Sequence, residues 1–480
     1  MRKTKTVTLF GLSLLGMSVL GCASADAPVP ATHAAPLTAS YSWDGDLPRL
    51  RDATEADCHF ESEKLVLRGA TLYRVYKVRY RSLESRGGTL SQIEIRGYAA
   101  RPDGSSKSPA VVLAHGLGGS ADESATIGLA ERLSAFVLSY TGPGGGTSPD
   151  NTSAGAPAFD GSGYRMFDTL GDVRGSWFWG HTAAALRGIT CLAARPEVDV
   201  RKLGLTGYSA GGVATLIGTG ADDRIAAAVA LSGTLAWDVA TDSADAWQHA
   251  LLQKAGLSTA SREWQKLTTE LIDPARALGK TAGKLLLIDG TTDEFFPLTA
   301  LVSTVSALPP ITKSEQARIS LAANFDHGCY KLSGVESASA IEARALLRSD
   351  GGQRMWFGNA FGTDSRFRSL PATPQVSTIP VGAGTLVTAV VDEPSSLAVD
   401  EVRLFVSADR SYTYANVKLD RDGSRTYRKL LPLSLAGSVT FVDVQYKTRD
   451  LLSPVRFSLS SLPSLPSGMV PHIRSQTSCL

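Results

Sequence analysis

Apolar and basic positions alternate from Leu72 to Tyr80 (LYRVYKVRY) and alternate again from Ile93 to Tyr98, on either side of the turn Arg86-Gly87-Gly88. That period of two predicts a pair of antiparallel strands at a sheet edge. The texture then changes to short, continuous apolar runs: Ala110 to Ala114, Ala135 to Tyr140, Leu203 to Thr206, Ile225 to Leu231, Lys284 to Ile288 and Arg318 to Ala323. Each has the length of a strand buried on both faces. Helix-length stretches separate them, among them 123–134 and 177–194. Such alternation predicts an α/β fold, a mostly parallel sheet with helices on both faces.

Two regions depart from this pattern. Residues 234–281 are an excursion rich in helix formers, too long for an ordinary connection, and read either as a helical cap over the sheet edge or as a peripheral decoration. Its Trp237, Trp247 and Trp264 suggest an apolar or sugar-stacking wall. From about Val376, six runs with a period of two follow one another without intervening helices. They predict an antiparallel β-sandwich over 376–460, separable from the unit 41–375 as an accessory domain. Within it, Asp420-Arg421-Asp422-Gly423 reads as a hairpin turn rather than the start of a calcium loop, because no ligand-rich continuation follows. The Ser/Pro-rich segment 461–480 reads as a flexible tail.

The apolar run Leu203 to Thr206 stops at Gly207-Tyr208-Ser209-Ala210-Gly211, after which small residues resume in helical texture. Strand, Gly-x-Ser-x-Gly and helix in that order predict a sharp turn that lifts the Ser209 hydroxyl at the sheet's carboxyl edge. A serine hydroxyl is a weak nucleophile at neutral pH, so it needs a histidine to take its proton and a carboxylate to hold that histidine. Of the histidines after the turn, His249 falls in the excursion and His472 in the tail. His327 follows the last buried run, in Asn324-Phe325-Asp326-His327-Gly328, where a base can reach the serine. The acid is expected after Lys284 to Ile288, and Asp293 is the candidate, with Glu294 and Asp326 as alternatives and Asp289 too close to the strand. The two N–H groups needed by an oxyanion are assigned to Ala210, next to the serine, and Leu117, in the loop His115-Gly116-Leu117-Gly118-Gly119. His115 itself is expected to brace that loop. The run Gly142-Pro143-Gly144-Gly145-Gly146 lacks the Lys-Ser/Thr ending of a phosphate loop and reads as a plain turn.

The amino terminus adds a compartment. Arg2, Lys3 and Lys5 precede an apolar run from Val7 to Leu20 that ends in Val19-Leu20-Gly21-Cys22. This resembles a bacterial lipobox, with 1–21 a signal peptide, Cys22 the lipidated residue and 22–40 an Ala/Pro/Ser/Thr tether. An ordinary cleaved signal peptide is the alternative. The lipoprotein reading places the protein in the bacterial cell envelope, and the residues after Cys22 resemble the outer-membrane sorting pattern. Cys58, Cys191, Cys329 and Cys479 then remain, and the exported compartment permits disulfides in any of three pairings. Cys191, in an apolar helical stretch, reads as a buried inert thiol. No Cys-x-x-Cys pair points to zinc. With 480 residues, a net charge of +2 and 20% charged residues, the chain has room for about two domains and no bias toward nucleic acid.

Taken together, the loop at 115–119, the turn at 207–211, Gly290-x-x-Asp293-x-x-x-Pro297 and Asp326-His327-Gly328 resemble the α/β-hydrolase superfamily, whose order of nucleophile, acid and base is Ser, Asp, His. The lead-in Arg195-Pro196-Glu197-Val198-Asp199 is similar to the acetyl xylan esterase and dienelactone hydrolase branch, shared with prolyl-oligopeptidase-type peptidases. The resemblance covers roughly 93–347 and leaves the β-rich region aside. It implies an esterase that needs no cofactor and acts on a small-molecule or acylated carbohydrate ester through an acyl-enzyme on Ser209. A peptidase with the same triad is the second expectation, and a non-catalytic glycan-binding or adhesin lipoprotein is the third. Dienelactone hydrolases carry cysteine at the elbow, so Ser209 argues against that particular activity.

Overall fold

The computed structural model describes residues 41–104, 106–160, 163–310, 312–327, 337, 339–340, 343, 347–432 and 434–473. The signal sequence, Cys22 and the tether, together with Cys329, Cys479 and residues 474–480, lie outside the described residues.

The edge pair predicted by alternation is present and longer than expected. Strands β2 (Thr71–Arg86) and β3 (Thr89–Pro102) pair antiparallel, from Tyr73 opposite Pro102 to Arg86 opposite Thr89. A further strand, β1 (His59–Arg68), flanks β2; its side chains are half-buried or exposed throughout, so no apolar face marks it in the sequence. Next come β4 (Ser108–Ala114), helix α1 (Glu123–Leu133), β5 (Phe136–Tyr140), helix α2 (Trp177–Ala193), β6 (Val198–Tyr208), helix α3 (Ala210–Ala221), β7 (Ile225–Leu231), β8 (Lys284–Gly290), helix α4 (Leu298–Ser306) and β9 (Ala317–Ala322). The caps are legible in residue type: Asp122 accepts from the Ala125 amide to start α1, and Ser176 accepts from the Phe178 amide to start α2.

The parallel strands lie in the order β5-β4-β6-β7-β8-β9. Their register brings the carboxyl ends level: Ala114 sits opposite Gly207, Tyr208 opposite Leu231, and Gly290 opposite Ala322. Four loops therefore leave the sheet side by side, beginning at His115, Ser209, Thr291 and Ala323.

The β-rich region forms the expected sandwich. One sheet contains β10 (Gln375–Val381), β11 (Gly384–Val390) and β14 (Thr426–Leu431), with Asp420 and Arg421 pairing along the outer edge of β14. Asp422 N–H bonds to Thr426 O, as a hairpin requires. The other sheet contains β12 (Leu397–Ser407), β13 (Ala415–Lys418), β15 (Val439–Thr448) and β16 (Arg456–Ser460). Val387, Ala389, Leu404, Val442 and Val444 are buried in one shared core. The second sheet continues the parallel one: β16 runs antiparallel to β9, with Ile319 opposite Ser460, giving 13 strands among the described residues. Arg348 and Asp443 form a buried ion pair at 2.6 Å beside this seam, and Asp443 also accepts from the Ser458 and Ser460 hydroxyls. The described residues from Tyr41 onward form one compact unit.

Three expectations are corrected. Cys191 is not a free thiol but is bonded to Cys58, which ties the segment before β1 to α2; closing a loop of 133 residues in this way is worth on the order of 5 kcal/mol of unfolded-chain entropy. Trp237 and Trp264 do not face a ligand, because both are buried in the core, and only Trp247 of the three is partly exposed. Finally, Ser461–Ile473 is not free: Ser464 bridges to Thr440, the Tyr412 and His472 rings stack at 4.3 Å, and His472 N–H bonds to Arg410 O. Ser461 and Ser464 there bond to the backbone of Val442 and Thr440 along β15.

Candidate active site

Ser209 stands between β6 and α3 with φ 59° and ψ −120°, torsions that a non-glycine residue holds only when its surroundings impose them. The constraint is close packing. A Cβ on Gly207 would come within 2.4 Å of Gly211 O, and one on Gly211 within 2.3 Å of Ala114 O. Small residues on both sides of the serine thus let the strand, the turn and the helix meet.

Its Oγ lies 2.8 Å from His327 Nε2, and His327 Nδ1 lies 2.8 Å from Asp293 Oδ2. The other Asp293 oxygen accepts from the Phe295 and Phe296 amides at 2.8 and 2.9 Å, which fixes the carboxylate toward the imidazole. Of the alternative acids, Glu294 accepts from the His327 backbone amide at 3.3 Å rather than from the ring. Asp289, at the end of β8, accepts from the Gly290 amide. Burial, reinforced by the Asp293 charge, drives the Asp289 carboxyl far above the usual carboxylate range. Glu294 is pushed up to about 7 by burial and by the charges of Asp293 and Asp326. Burial alone would lower His327, but Asp293, Glu294 and Asp326 outweigh it and hold the imidazole above its ordinary value.

The loop after β4 lies against the serine: a Cβ on Gly116 would sit 3.2 Å from Ser209 Cβ. Leu117 follows, partly buried against the core, while Ala210 opens α3, where the first amides have no intrahelical acceptor. His115 braces this loop as expected. Its Nε2 accepts from the Gly142 amide at 2.8 Å, so Nδ1 carries the proton and donates to Gly116 O at 2.6 Å. Burial lowers its pKa to about 4, which keeps the ring neutral. Behind it, His181 stacks on Trp177 at 4.5 Å and is also held neutral by burial. The glycine-rich run 142–146 is thus part of the support for the loop at 115–119.

Sequence reasoning missed the aromatic setting of His327. The Tyr208 ring stacks on the imidazole at 5.0 Å and its hydroxyl donates to His327 O, while Phe295 approaches at 4.4 Å and Phe296 at 5.5 Å. Tyr208 occupies the variable position of Gly-x-Ser-x-Gly, where nothing local signals a ring contact 119 residues away. The excursion 234–281 borders this site: Trp247 meets Phe295 at 4.7 Å and Gln248 Nε2 donates to Phe295 O. His249 bonds within the excursion, to Thr241 O, and takes no part. Among the described residues, no group of three or more His, Cys, Asp or Glu side chains could hold a metal ion.

Two family models match the sequence: Acetyl xylan esterase (AXE1) over residues 33–237, and Prolyl oligopeptidase family over residues 181–343. No curated protein matches at a significant level. Among solved structures, an acetyl xylan esterase from Paenibacillus sp. R4 is 17% identical over 63% of this chain and 92% of its own, with a TM-score of 0.46. Acetyl xylan esterase 1 from Thermoanaerobacterium sp. JW/SL YS485 is 18% identical over 64% of this chain and 94% of its own, with a TM-score of 0.45. The acylaminoacyl peptidase of Pyrococcus horikoshii is 14% identical over 56% of this chain and 52% of its own, with a TM-score of 0.36.

Proposed function

We propose that this chain, an α/β-hydrolase with acetyl-xylan-esterase-like sequence, is a serine carboxylesterase whose triad is Ser209, His327 and Asp293. The observation that carries the proposal is the relay of two 2.8 Å contacts, Ser209 Oγ to His327 Nε2 and His327 Nδ1 to Asp293 Oδ2, ending on a serine at a strained strand-to-helix turn. Neutral His327 takes the serine proton as Oγ attacks the ester carbonyl. The Leu117 and Ala210 amides receive the oxyanion, and the imidazolium returns the proton to the departing alcohol. Water activated by the same histidine then releases the acid. Asp293 steadies the imidazolium and holds Nδ1 protonated so that Nε2 faces the serine. Labelling by a fluorophosphonate at Ser209, located by peptide mass spectrometry, tests this reading; an unlabelled serine in folded protein overturns it.

The pH dependence has a definite sign. Only neutral His327 can act as base, and its surrounding carboxylates hold its proton more tightly than usual. Activity should therefore fall as pH drops through a value above the ordinary histidine range of about 6.5. Glu294, itself pushed up to about 7, carries only part of its charge there, so Glu294→Gln should move this acid limb a little to lower pH. Profiles of kcat/KM for the two proteins check it, and a limb that stays or rises is the contrary result.

The match to the prolyl oligopeptidase family makes a peptidase the second reading. The site favours esters. An amide nitrogen must be protonated as it leaves, which demands a firmly held peptide. The wall beside His327 offers Phe295 and Trp247, aromatic surface that suits a small or acylated carbohydrate ester. Of the two acids that could anchor a peptide amine, Glu123 and Glu270, Glu123 is already paired with Lys64 at 2.7 Å. Matched acyl p-nitrophenyl esters should therefore show a far higher kcat/KM than aminoacyl p-nitroanilides; turnover of unblocked peptides without hydrolysis of natural esters would reverse the assignment.

We also propose attachment to the cell envelope, at the outer membrane, through lipidated Cys22. The lipobox-like Val19-Leu20-Gly21-Cys22 supports it, and among the described residues no helix is long and apolar enough to cross a membrane. Cys22→Ser should release the protein from the membrane fraction, whereas persistent acyl labelling of that variant would reject the lipoprotein assignment.

A further inference from the structure

Three loops meet behind the triad, and one of them belongs to the sandwich. Thr291 lies two residues before Asp293, Asn324 lies three before His327, and Ser411 and Tyr414 lie between β12 and β13. Thr291 Oγ1 accepts from the Asn324 amide at 3.0 Å, joining the acid loop to the histidine loop. Asn324 then holds the sandwich loop at both ends of one residue: its Oδ1 accepts from Tyr414 N at 2.7 Å and its Nδ2 donates to Tyr414 O at 2.9 Å. Ser411 Oγ closes the ring by donating to Thr291 O at 2.9 Å, which leaves the Tyr414 hydroxyl to donate to Ser411 Oγ at 2.6 Å.

All four residues are buried, with exposures of 2% or less. Every bond in the ring is thus made away from water, where a lost partner is not replaced. Two of the four hold left-handed backbone, Asn324 at φ 59° and Ser411 at φ 75°. Such torsions are disfavoured for non-glycine residues and persist where the surroundings impose them. Tyr414 anchors the ring to the sandwich, packing edge-on against Phe441 of β15 at 5.6 Å, and it lies in the same apolar core as β6.

We propose that the sandwich is part of the active-site scaffold, with Ser411, Tyr414 and Asn324 as positioning residues that keep Asp293 and His327 at bonding distance. This rests on the serine-hydrolase reading above. The relay tolerates little displacement, since a shift of about 1 Å far from the chemistry can cost about 10²-fold in rate. A ring tying both loops to a third element removes the freedom of either loop to slide along the sheet edge.

The test uses the full chain and replaces each left-handed residue with glycine, which adopts the same torsions without steric cost. Ser411→Gly and Asn324→Gly delete the bridging side chains and leave both turns allowed. Each should lower kcat on a small ester by ~10 to 10²-fold with KM changed by no more than about twofold. The pair should lose less than the product of the single losses, because both act on one ring. Their acid limb should move to lower pH as Asp293 loosens from His327. Arg410→Gly, at an exposed position of the same loop that also has φ 59°, should keep the wild-type kcat. Should a glycine variant fail to fold, Tyr414→Phe removes a single hydroxyl and should give a smaller kcat loss of the same kind. Unchanged kcat in the folded ring variants, a loss carried by KM alone, or an equal loss in Arg410→Gly overturns the proposal. Failure of the enzyme reading itself would show separately, as undiminished activity in Ser209→Ala.

Discussion

Ser209→Ala should lose hydrolysis of a small soluble ester by about 10⁴-fold or more while melting at the wild-type temperature. The backbone argument explains the second half. The elbow is set by what surrounds it, Gly207 and Gly211 against backbone oxygens and Ser209 N bonded to Leu231 O at 2.9 Å, and alanine meets the same torsions as serine. The hydroxyl's bond is to His327 Nε2, which water can replace in a partly exposed site. What disappears is the atom that would form the acyl-enzyme, and among the described residues no second hydroxyl is bonded to His327 Nε2. Steady-state rates together with a thermal melt decide the matter, and a variant retaining a tenth of the activity would move the nucleophile elsewhere.

Asp293→Asn should cost about 10⁴-fold in kcat, comparable to the loss when a triad acid becomes an amide and the histidine takes the wrong tautomer. Here the geometry makes the same demand. The oxygen that accepts from the Phe295 and Phe296 amides must remain an acceptor, so the amide nitrogen of asparagine turns toward His327 Nδ1. That nitrogen donates, which forces Nδ1 to accept and moves the imidazole proton to Nε2, facing Ser209. Glu294→Gln should cost within about tenfold, because the hydrogen bond of Glu294 runs to the His327 backbone amide rather than to the ring, and one such bond is worth about 1 kcal/mol. Equal losses in the two variants would mean that the acid is shared rather than assigned to Asp293.

The parts of this site that were legible in the sequence are those set by local pattern. Buried strands showed as apolar runs, and the loops at their carboxyl ends carried Leu117, Ser209, Asp293 and His327 in a fixed chain order. Asp293 and its neighbour Glu294 both lay in the loop after β8, and it is the geometry that sets the Asp293 carboxylate on His327 Nδ1. What remained hidden depends on pairing across long separations. Cys58 and Cys191 gave no sign of each other, since residue type does not reveal which thiols meet. Trp237 and Trp264 showed helical context but not the direction of their rings, which the packing of Phe178, Phe296 and Phe167 decides. Asn324, two residues from the expected acid alternative Asp326, reads as an ordinary turn residue until Tyr414 is placed against it. The strand β1 has no buried face, and so it left no periodic signal at all.

The junction of β9 with β16 has a consequence for how the molecule is made. Ser320 Oγ donates to Ser458 O across a sequence separation of 138 residues, so most of the sandwich must emerge into the compartment where the chain folds before the outer edge of β9 is covered. Until then β9, wholly buried in the finished protein, presents bare N–H and C=O groups beside the newborn elbow. Such an edge invites pairing with another unfinished chain, which makes the interval between emergence of β9 and arrival of β16 a stage at which chaperone cover matters for this protein.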